Sequence, residues 1–445
     1  MKLNSSTSIG LVLLSTLTLG GCSWLGLDDD KKIPLAGDRV SVLELQKALE
    51  PNDTALKAEG FVAPAPWQND YWTQPGGYPN HALQNIALND GKLKEIWSVD
   101  IGTGSDDDMP LTAQPVVFEG VIYTLDTESN VSAFDIKKGK RIWQNIIRPK
   151  KEDESVIGGG LAVAAGMLYA TNGYNELIAL NPKKGGIYWR VPLTAPSRAA
   201  PTVLGDRIYV LTLDNHLTAF DSLTGKQLWK YEGFAENAGL VNAASPAADT
   251  EVVICPMSSG ELTALRAENG AVAWTDSLSP SLQTGSAASL PDISGLPVID
   301  KGSIIAVSYG GKIVSIDQAS GQRIWARDIG GAKTPWVAGN TIFFITSNAE
   351  LVALGRDTGA LAWVKPLASY ENSDNAHNSL LWNGPVLAGG RLILTGADES
   401  LLEISPTDGS LIRKLDLGFH VALPPVVAGS TLYLVSDDGT LSAWQ

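Results

Sequence analysis

The stretch AFDSLTGKQLW (Ala219–Trp229) places a polar segment between two apolar runs and ends on a tryptophan. Asp221 can form an Asx-turn, and Gly225 can adopt a positive φ without steric cost. Residues Asp221–Gly225 are therefore predicted to form a tight turn between two β-strands. Variants of the stretch recur along the chain, and their spacing predicts the fold.

The repeats align on a glycine that stands four residues before the tryptophan. Six copies are FDIKKGKRIW (134–143), LNPKKGGIYW (180–189), FDSLTGKQLW (220–229), LRAENGAVAW (265–274), IDQASGQRIW (316–325) and LGRDTGALAW (354–363). A seventh, ISPTDGSLIR (404–413), keeps the glycine but has Arg413 in place of the tryptophan. The aligned glycines are 38 to 51 residues apart. This period fits four short strands, which is one blade of a β-propeller.

The last repeat unit indicates how the ring closes. It runs from Pro425 to Gln445 and has room for only three strands. The stretch KLKEIWSVDI (92–101) precedes the first full unit and can supply the fourth strand, which removes the free edges. We therefore predict an all-β fold, an eight-bladed β-propeller of four-stranded blades over residues 91–445, closed by an N-terminal strand. A seven-bladed ring is the main alternative.

The tryptophans of the repeats are predicted to be structural. Each falls in the outermost strand of its blade, and its ring is large enough to bridge two sheets packed about 10 Å apart. No cofactor is needed to explain them. The predicted inter-blade residues are Trp97, Trp143, Trp189, Trp229, Trp274, Trp325 and Trp363.

The N-terminus is typical of a bacterial lipoprotein. Residues 1–21 combine Lys2, a short apolar run and small residues before Cys22, so they are predicted to be a signal peptide removed before lipidation of Cys22. An ordinary signal peptide with a chance cysteine is the alternative. Ser23, by resemblance to Gram-negative lipoproteins, favours the outer membrane, with the body facing the periplasm. Residues 22–90 are predicted to be a lipid-attached, largely irregular tether, whose later part can pack on the body through Trp67 and Trp72.

Several functional classes are disfavoured by composition. The net charge of −15 argues against nucleic-acid binding. With Cys22 acylated, Cys255 has no disulfide partner and is predicted to be a buried, inert thiol. The four histidines have neither metal-ligand spacing nor a neighbouring nucleophile motif. No catalytic, cofactor-binding or metal-binding residues are therefore predicted, and the protein is not expected to be an enzyme.

The repeats resemble those of pyrroloquinoline-quinone proteins, whose motif is roughly Ala-x-Asp-x-x-x-Gly-x-x-x-Trp. Two families share it: the quinoprotein dehydrogenases and BamB, a family of outer-membrane assembly lipoproteins. The dehydrogenases resemble one another in a central Ca²⁺ site of Glu, Asn and Asp, and many carry a Cys-Cys pair or a Cys-x-x-Cys-His haem motif. This sequence has neither cysteine motif.

The resemblance to BamB accounts for more of the sequence. That family combines a lipoprotein signal, outer-membrane sorting, a tether and an eight-bladed ring without an active site, and the leader with WTQPGG (72–77) resembles alphaproteobacterial members. It implies a scaffold of the outer-membrane β-barrel assembly machinery. Such a scaffold binds the periplasmic POTRA domains of BamA, works beside the other assembly lipoproteins and helps deliver unfolded outer-membrane proteins. The alternatives are a periplasmic quinone-dependent dehydrogenase or another propeller binding module.

The resemblance also implies partner-binding residues on two loops. The loop VPLTAPSRAAP (191–201), which leads into the third blade, matches a Leu/Arg loop of the family through Leu193 and Arg198. The loop LPDISGLP (290–297), which leads into the fifth blade, matches an Asp-x-Asp loop through Asp292, with Ser294 in place of the second Asp. The alternative is that these four are ordinary surface-loop residues.

Overall fold

The computed structural model describes residues 49–52, 60–234, 243–279, 291–372 and 377–445. In these ranges the regular secondary structure is entirely β, with strands β1 to β34. The search of the same ranges for a helix long and apolar enough to cross a bilayer found none. The prediction of an all-β fold is confirmed. Cys22 lies outside the described residues, so its lipidation stays a prediction.

Blades 1 to 4 each use four consecutive antiparallel strands. Blade 1 contains β2 (Val116–Phe118), β3 (Val121–Leu125), β4 (Asn130–Asp135) and β5 (Arg141–Ile146). Blade 2 contains β6 (Gly160–Ala164), β7 (Met167–Thr171), β8 (Glu176–Leu180) and β9 (Ile187–Pro192). Blade 3 contains β10 (Thr202–Leu204), β11 (Arg207–Leu211), β12 (His216–Asp221) and β13 (Gln227–Glu232). Blade 4 contains β14 (Ala247–Ala248), β15 (Val252–Pro256), β16 (Glu261–Arg266) and β17 (Val272–Ser277).

Blades 5 to 7 follow the same order, with a small hairpin before blade 7. Blade 5 contains β18 (Val298–Asp300), β19 (Ser303–Val307), β20 (Ile313–Asp317) and β21 (Arg323–Arg327). Blade 6 contains β22 (Trp336–Ala338), β23 (Thr341–Ile345), β24 (Glu350–Gly355) and β25 (Leu361–Pro366). The hairpin is β26 (Tyr370–Asn372) with β27 (His377–Ser379). Blade 7 contains β28 (Trp382–Ala388), β29 (Arg391–Gly396), β30 (Ser400–Ile404) and β31 (Leu411–Asp416).

Blade 8 is built from both ends of the propeller. It contains β32 (Val426–Ala428), β33 (Thr431–Val435), β34 (Thr440–Trp444) and, outermost, β1 (Glu95–Asp100). β1 pairs antiparallel with β34, and backbone hydrogen bonds of 2.8 and 3.0 Å join Lys94 to Gln445 beyond them. The eight-bladed prediction with closure by an N-terminal strand is confirmed, and the seven-bladed alternative is wrong.

The repeated turn has the predicted conformation. In blade 3 the amide of Gly225 donates to the carbonyl of Asp221 at 2.9 Å, and the amide of Thr224 donates to the Asp221 carboxylate at 2.8 Å. Gly225 has φ = +69°. Hydrogen bonds from the hydroxyl and amide of Thr224 lower the pKa of the Asp221 carboxyl. The turn therefore joins β12 to β13 through an aspartate cap and a left-handed glycine.

Each repeat tryptophan contacts the turn of the next blade. A Cβ added at Gly139 would lie 2.6 Å from the Trp97 ring, and the six other aligned glycines are packed against the preceding tryptophan in the same way. Each indole Nε1 also donates to a backbone carbonyl of that turn. The donor–acceptor pairs are Trp97–Ile136 (3.2 Å), Trp143–Pro182 (2.8 Å), Trp189–Leu223 (2.9 Å), Trp229–Ala267 (3.1 Å), Trp274–Gln318 (2.9 Å), Trp325–Arg356 (2.7 Å) and Trp363–Pro406 (3.1 Å).

Arg413 replaces the tryptophan where blade 7 meets blade 8. Blade 8 has the chain ends in place of an outer turn, so an indole there would lack the usual partner. The guanidinium of Arg413 instead donates to the carbonyl of Gly91 at 2.8 Å and lies 3.3 Å from the carboxylate of Glu403. Arg391 contacts the same buried carboxylate at 3.2 Å. An ionic cluster thus replaces the Trp–Gly contact at the closure.

An irregular segment, residues 69–89, lines the inside of the ring; we call it the inner strap. It contacts the first strand of every blade, or the residue that follows that strand, in ring order. Successive contacts join Asn69 to Val427, Trp72 to Val117, Thr73 to Val163, Gln74 to Val203, Pro79 to Ala248, Asn80 to Ile299, Gln84 to Gly339 and Ile86 to Leu387, at 2.7 to 3.1 Å. Because the first strands are the channel-side edges of their sheets, the strap satisfies backbone groups that would otherwise face the channel.

Candidate functional site

A cavity of about 150 Å³ lies in the channel beside the inner strap. The strap contributes Trp72 and Gly76, and the loops that enter the first strands of several blades complete the lining. A cavity of this volume can hold a small organic molecule or a polyatomic ion. It lies where residues from separate blades converge, which is a common location for ligand sites.

The structure brings two of the predicted partner-binding residues to this cavity. Arg198 and Ser294 both line it, and the Ser294 hydroxyl donates to the carbonyl of Ala332 at 3.2 Å. Leu193 lies outside the lining, partly exposed, against the apolar core between blades 2 and 3. Asp292 is 5% exposed, and its carbonyl accepts a hydrogen bond from the Tyr309 amide at 2.9 Å. The role of all four residues in partner binding stays a prediction.

Sequence reasoning missed Lys333 and Asn383, which also line the cavity. The Lys333 ammonium donates to the side-chain oxygen of Asn383 at 2.9 Å. The Asn383 amide in turn donates to the carbonyl of Val421 at 3.0 Å, which fixes its orientation. These residues come from blades 6 and 7, about 50 residues apart, and the segment GGAKTPW (330–336) carries no motif. They come together because blades 6 and 7 are neighbours in the ring.

Burial changes the acid–base properties of two side chains near the channel. Removal from solvent lowers the pKa of Lys333 to about 8, because the charged ammonium loses hydration. It also lowers the pKa of His81, on the inner strap, to about 4. His81 Nδ1 lies 2.7 Å from the carbonyl of Pro297 and so carries the proton, while Nε2 is buried without a hydrogen-bond partner. His81 is therefore neutral at pH 7.

The cavity lining offers no carboxylate to a calcium ion. Calcium prefers carboxylate and carbonyl oxygens, and the described lining contains Arg198 and Lys333 but no Asp or Glu. Across the described ranges, no three His, Cys, Asp or Glu side chains are grouped so that they could hold a metal ion. The side-chain oxygen of Asn383 in the lining already accepts from Lys333.

The eight four-stranded blades and the Gly–Trp repeats place the protein in the class of pyrroloquinoline-quinone-like propellers. Residues 127–365, more than half of the chain, match the family model described as outer membrane protein assembly factor BamB. The chain belongs to this family.

Two curated relatives illustrate how far the similarity extends. The outer membrane protein assembly factor BamB of Yersinia pestis is 25% identical over 358 residues, which cover 79% of this chain and 88% of that protein. An uncharacterized protein of Rickettsia prowazekii is 32% identical over 268 residues, or 59% of this chain. The chain spans 64% of the length of that Rickettsia protein.

Solved structures share the fold. BamB from Moraxella catarrhalis superposes with a TM-score of 0.67 at 22% identity, covering 80% of this chain and all of that one. A quinohemoprotein alcohol dehydrogenase from Pseudomonas putida superposes with a TM-score of 0.65 at 13% identity, covering 85% of this chain and 80% of that one. At these identities the likeness concerns the fold alone, and function must be argued from the site.

Proposed function

We propose that the protein is a non-enzymatic scaffold lipoprotein of the outer-membrane β-barrel assembly machinery. The observation that carries this proposal is its membership of the assembly-factor family. In this role the propeller binds the periplasmic POTRA domains of BamA, beside the other assembly lipoproteins, and aids insertion of outer-membrane β-barrel proteins. The cavity supports the non-enzymatic part, because its lining lacks the carboxylates of a central calcium site.

The proposed location follows from the N-terminus. Signal cleavage after residue 21 and lipidation of Cys22 anchor the chain to the outer membrane, with the propeller in the periplasm. The tether would then extend from Cys22 to the inner strap. Ahead of the strap, the Asn52 amide donates to the carbonyl of Leu361 in the outermost strand of blade 6 at 2.8 Å, so the tether also contacts the outside of that blade.

The proposed BamA contact is the end of the ring where the loops enter blades 3 and 5. Leu193 is partly exposed there, and Arg198 and Ser294 lie at the cavity between those loops. Asp292, being buried, would act by holding its loop rather than by direct contact. Arg side chains are frequent anchors at protein interfaces.

Capture of BamA tests this contact. Full-length protein carrying Leu193→Glu or Arg198→Glu should capture about tenfold less BamA than the unmodified protein, since each change places a negative charge at the interface. Leu223→Glu is the matched control, because Leu223 is 61% exposed on the outer turn of blade 3. Unchanged capture by both loop variants would remove these loops from the interface.

A separate assay tests the absence of enzymatic activity. The protein reconstituted with pyrroloquinoline quinone and Ca²⁺ should not reduce a dye acceptor in the presence of primary alcohols. Quinone-dependent turnover would replace the scaffold proposal by the dehydrogenase alternative.

A further inference from the structure

The central cavity holds two cationic side chains without a described counter-ion. Arg198 enters from the loop before β10, and Lys333 from the loop before β22. Neither belongs to any of the ion pairs of the described residues. The whole chain has a net charge of −15, so the two cationic side chains are a local property of the cavity. Both side chains line the same cavity, and each would attract an anion bound there.

Both side chains have donors left for a ligand. The Nε of Arg198 is shielded from solvent and has no hydrogen-bond partner among the described residues. Lys333 uses one N–H on Asn383, and an ammonium group has three. A buried donor without a partner is destabilising, so an acceptor in the cavity would stabilise the arrangement.

We propose that the cavity binds a small, multiply charged oxyanion, of the size of phosphate or a short dicarboxylate, through Arg198 and Lys333. A guanidinium presents parallel N–H donors that match the oxygens of such an anion, and an ammonium adds a second point charge. The volume of about 150 Å³ admits an anion of this size. This site shares Arg198 with the proposed protein contact, whereas Lys333 belongs to the anion site alone.

The protonation of Lys333 agrees with this site. Burial lowers its pKa to about 8, which leaves most of the side chain charged at pH 7. An anion next to it would favour the charged form and raise the pKa again.

Isothermal titration of the purified full-length protein with inorganic phosphate, and separately with succinate, tests the site. At least one probe should bind with one site per chain. Lys333→Gln and Arg198→Gln should each weaken binding about tenfold or more, which is the usual effect of losing a charge-assisted hydrogen bond. Lys333→Arg should retain most of the affinity. Lys226→Gln, at an exposed turn, is the control and should leave binding unchanged.

A second measurement needs no variant. Trace acetylation of the unmodified protein, followed by peptide mass spectrometry, should show that the bound anion slows modification of Lys333 and not of Lys226. The proposal is overturned if neither probe binds, if both Gln variants bind as well as the unmodified protein, or if the anion protects both lysines equally. Capture of BamA by Lys333→Gln should remain normal, so loss of this site is distinguishable from loss of the scaffold function.

Discussion

At the residue scale, the repeated glycine has two roles that act together. All seven aligned glycines have a positive φ, and each is packed against the tryptophan of the preceding blade. The turn alone would accept Asn or Asp in this conformation, but no side chain fits beneath the indole. The two constraints explain why glycine persists at every turn while the aspartate persists in only three.

Gly185→Ala tests this explanation against a matched control. A Cβ at Gly185 would overlap the Trp143 ring, whereas Gly166, in the same blade, has a nearly identical φ (+75° against +73°) and open space around it. We expect Gly166→Ala to lower the free energy of unfolding by about 1 kcal/mol from backbone strain, and Gly185→Ala by about 3 kcal/mol. Denaturant unfolding followed by tryptophan fluorescence measures both. Equal losses would show that the indole contact contributes nothing.

The buried His81 gives the fold a pH dependence. Its folded pKa is about 4, against an ordinary value of 6.5, so the unfolded chain binds the proton more readily. Burial of His81 therefore does not lower the free energy of unfolding above pH 6.5. The free energy of unfolding falls progressively as the pH drops from 6.5 to 4. The shift corresponds to about 3 kcal/mol at full effect.

His81→Asn should remove this component. Asparagine tolerates the positive φ of 58° at this position and carries no titratable group. The variant should lose less stability than the unmodified protein between pH 6.5 and pH 4, in thermal unfolding at a series of pH values. Parallel curves for His81→Asn and the unmodified protein would contradict the assignment.

At the element scale, the inner strap acts as a ninth structural element without regular secondary structure. Trp72 and Ile86 are 1% and 0% exposed, values typical of a core rather than of a linker. The Trp72 indole donates to the side chain of Gln114 at 3.2 Å, and Gln114 donates to the carbonyl of Pro424 at 3.1 Å. Through these contacts the strap joins blade 1 to blade 8 next to the closure.

Trp72→Ala should therefore destabilise the whole ring. Loss of a fully buried indole costs about 3 to 5 kcal/mol. Its neighbour Tyr71 is 40% exposed and packs against Phe118 with ring centroids 5.3 Å apart, so Tyr71→Ala should cost about 1 kcal/mol. Thermal unfolding of both variants makes the comparison. A melting temperature for Trp72→Ala no lower than that of Tyr71→Ala would mean that the inner strap does not stabilise the propeller.

Local patterns in the sequence predicted the blades but not the strap or the cavity. The Gly–Trp spacing is set by one turn and one neighbouring blade, so each repeat carries its own signal. The strap has no period, because successive residues meet eight different blades at irregular intervals. Lys333 and Asn383 meet only where blades 6 and 7 lie side by side. Arg413 departs visibly from the pattern, but its partners at the closure cannot be read from the repeat.

At the scale of the whole molecule, three features hold the ring together. The β1–β34 pairing closes it, the Arg391–Glu403–Arg413 cluster replaces the missing Trp contact, and the inner strap contacts every blade from inside. Residues 49–445 form one compact unit with loops at the ends of the ring. The cavity adds an internal site whose charge is opposite to that of the chain.

Immunoprecipitation of the native protein from the solubilised outer membrane of its own cells, after mild cross-linking, tests the scaffold role most directly. Mass spectrometry should find BamA among the most enriched membrane proteins, and the enrichment should fall about tenfold with Leu193→Glu and remain with Leu223→Glu. Absence of BamA from the precipitate, or enrichment of a cytochrome or dehydrogenase subunit in its place, would contradict the account.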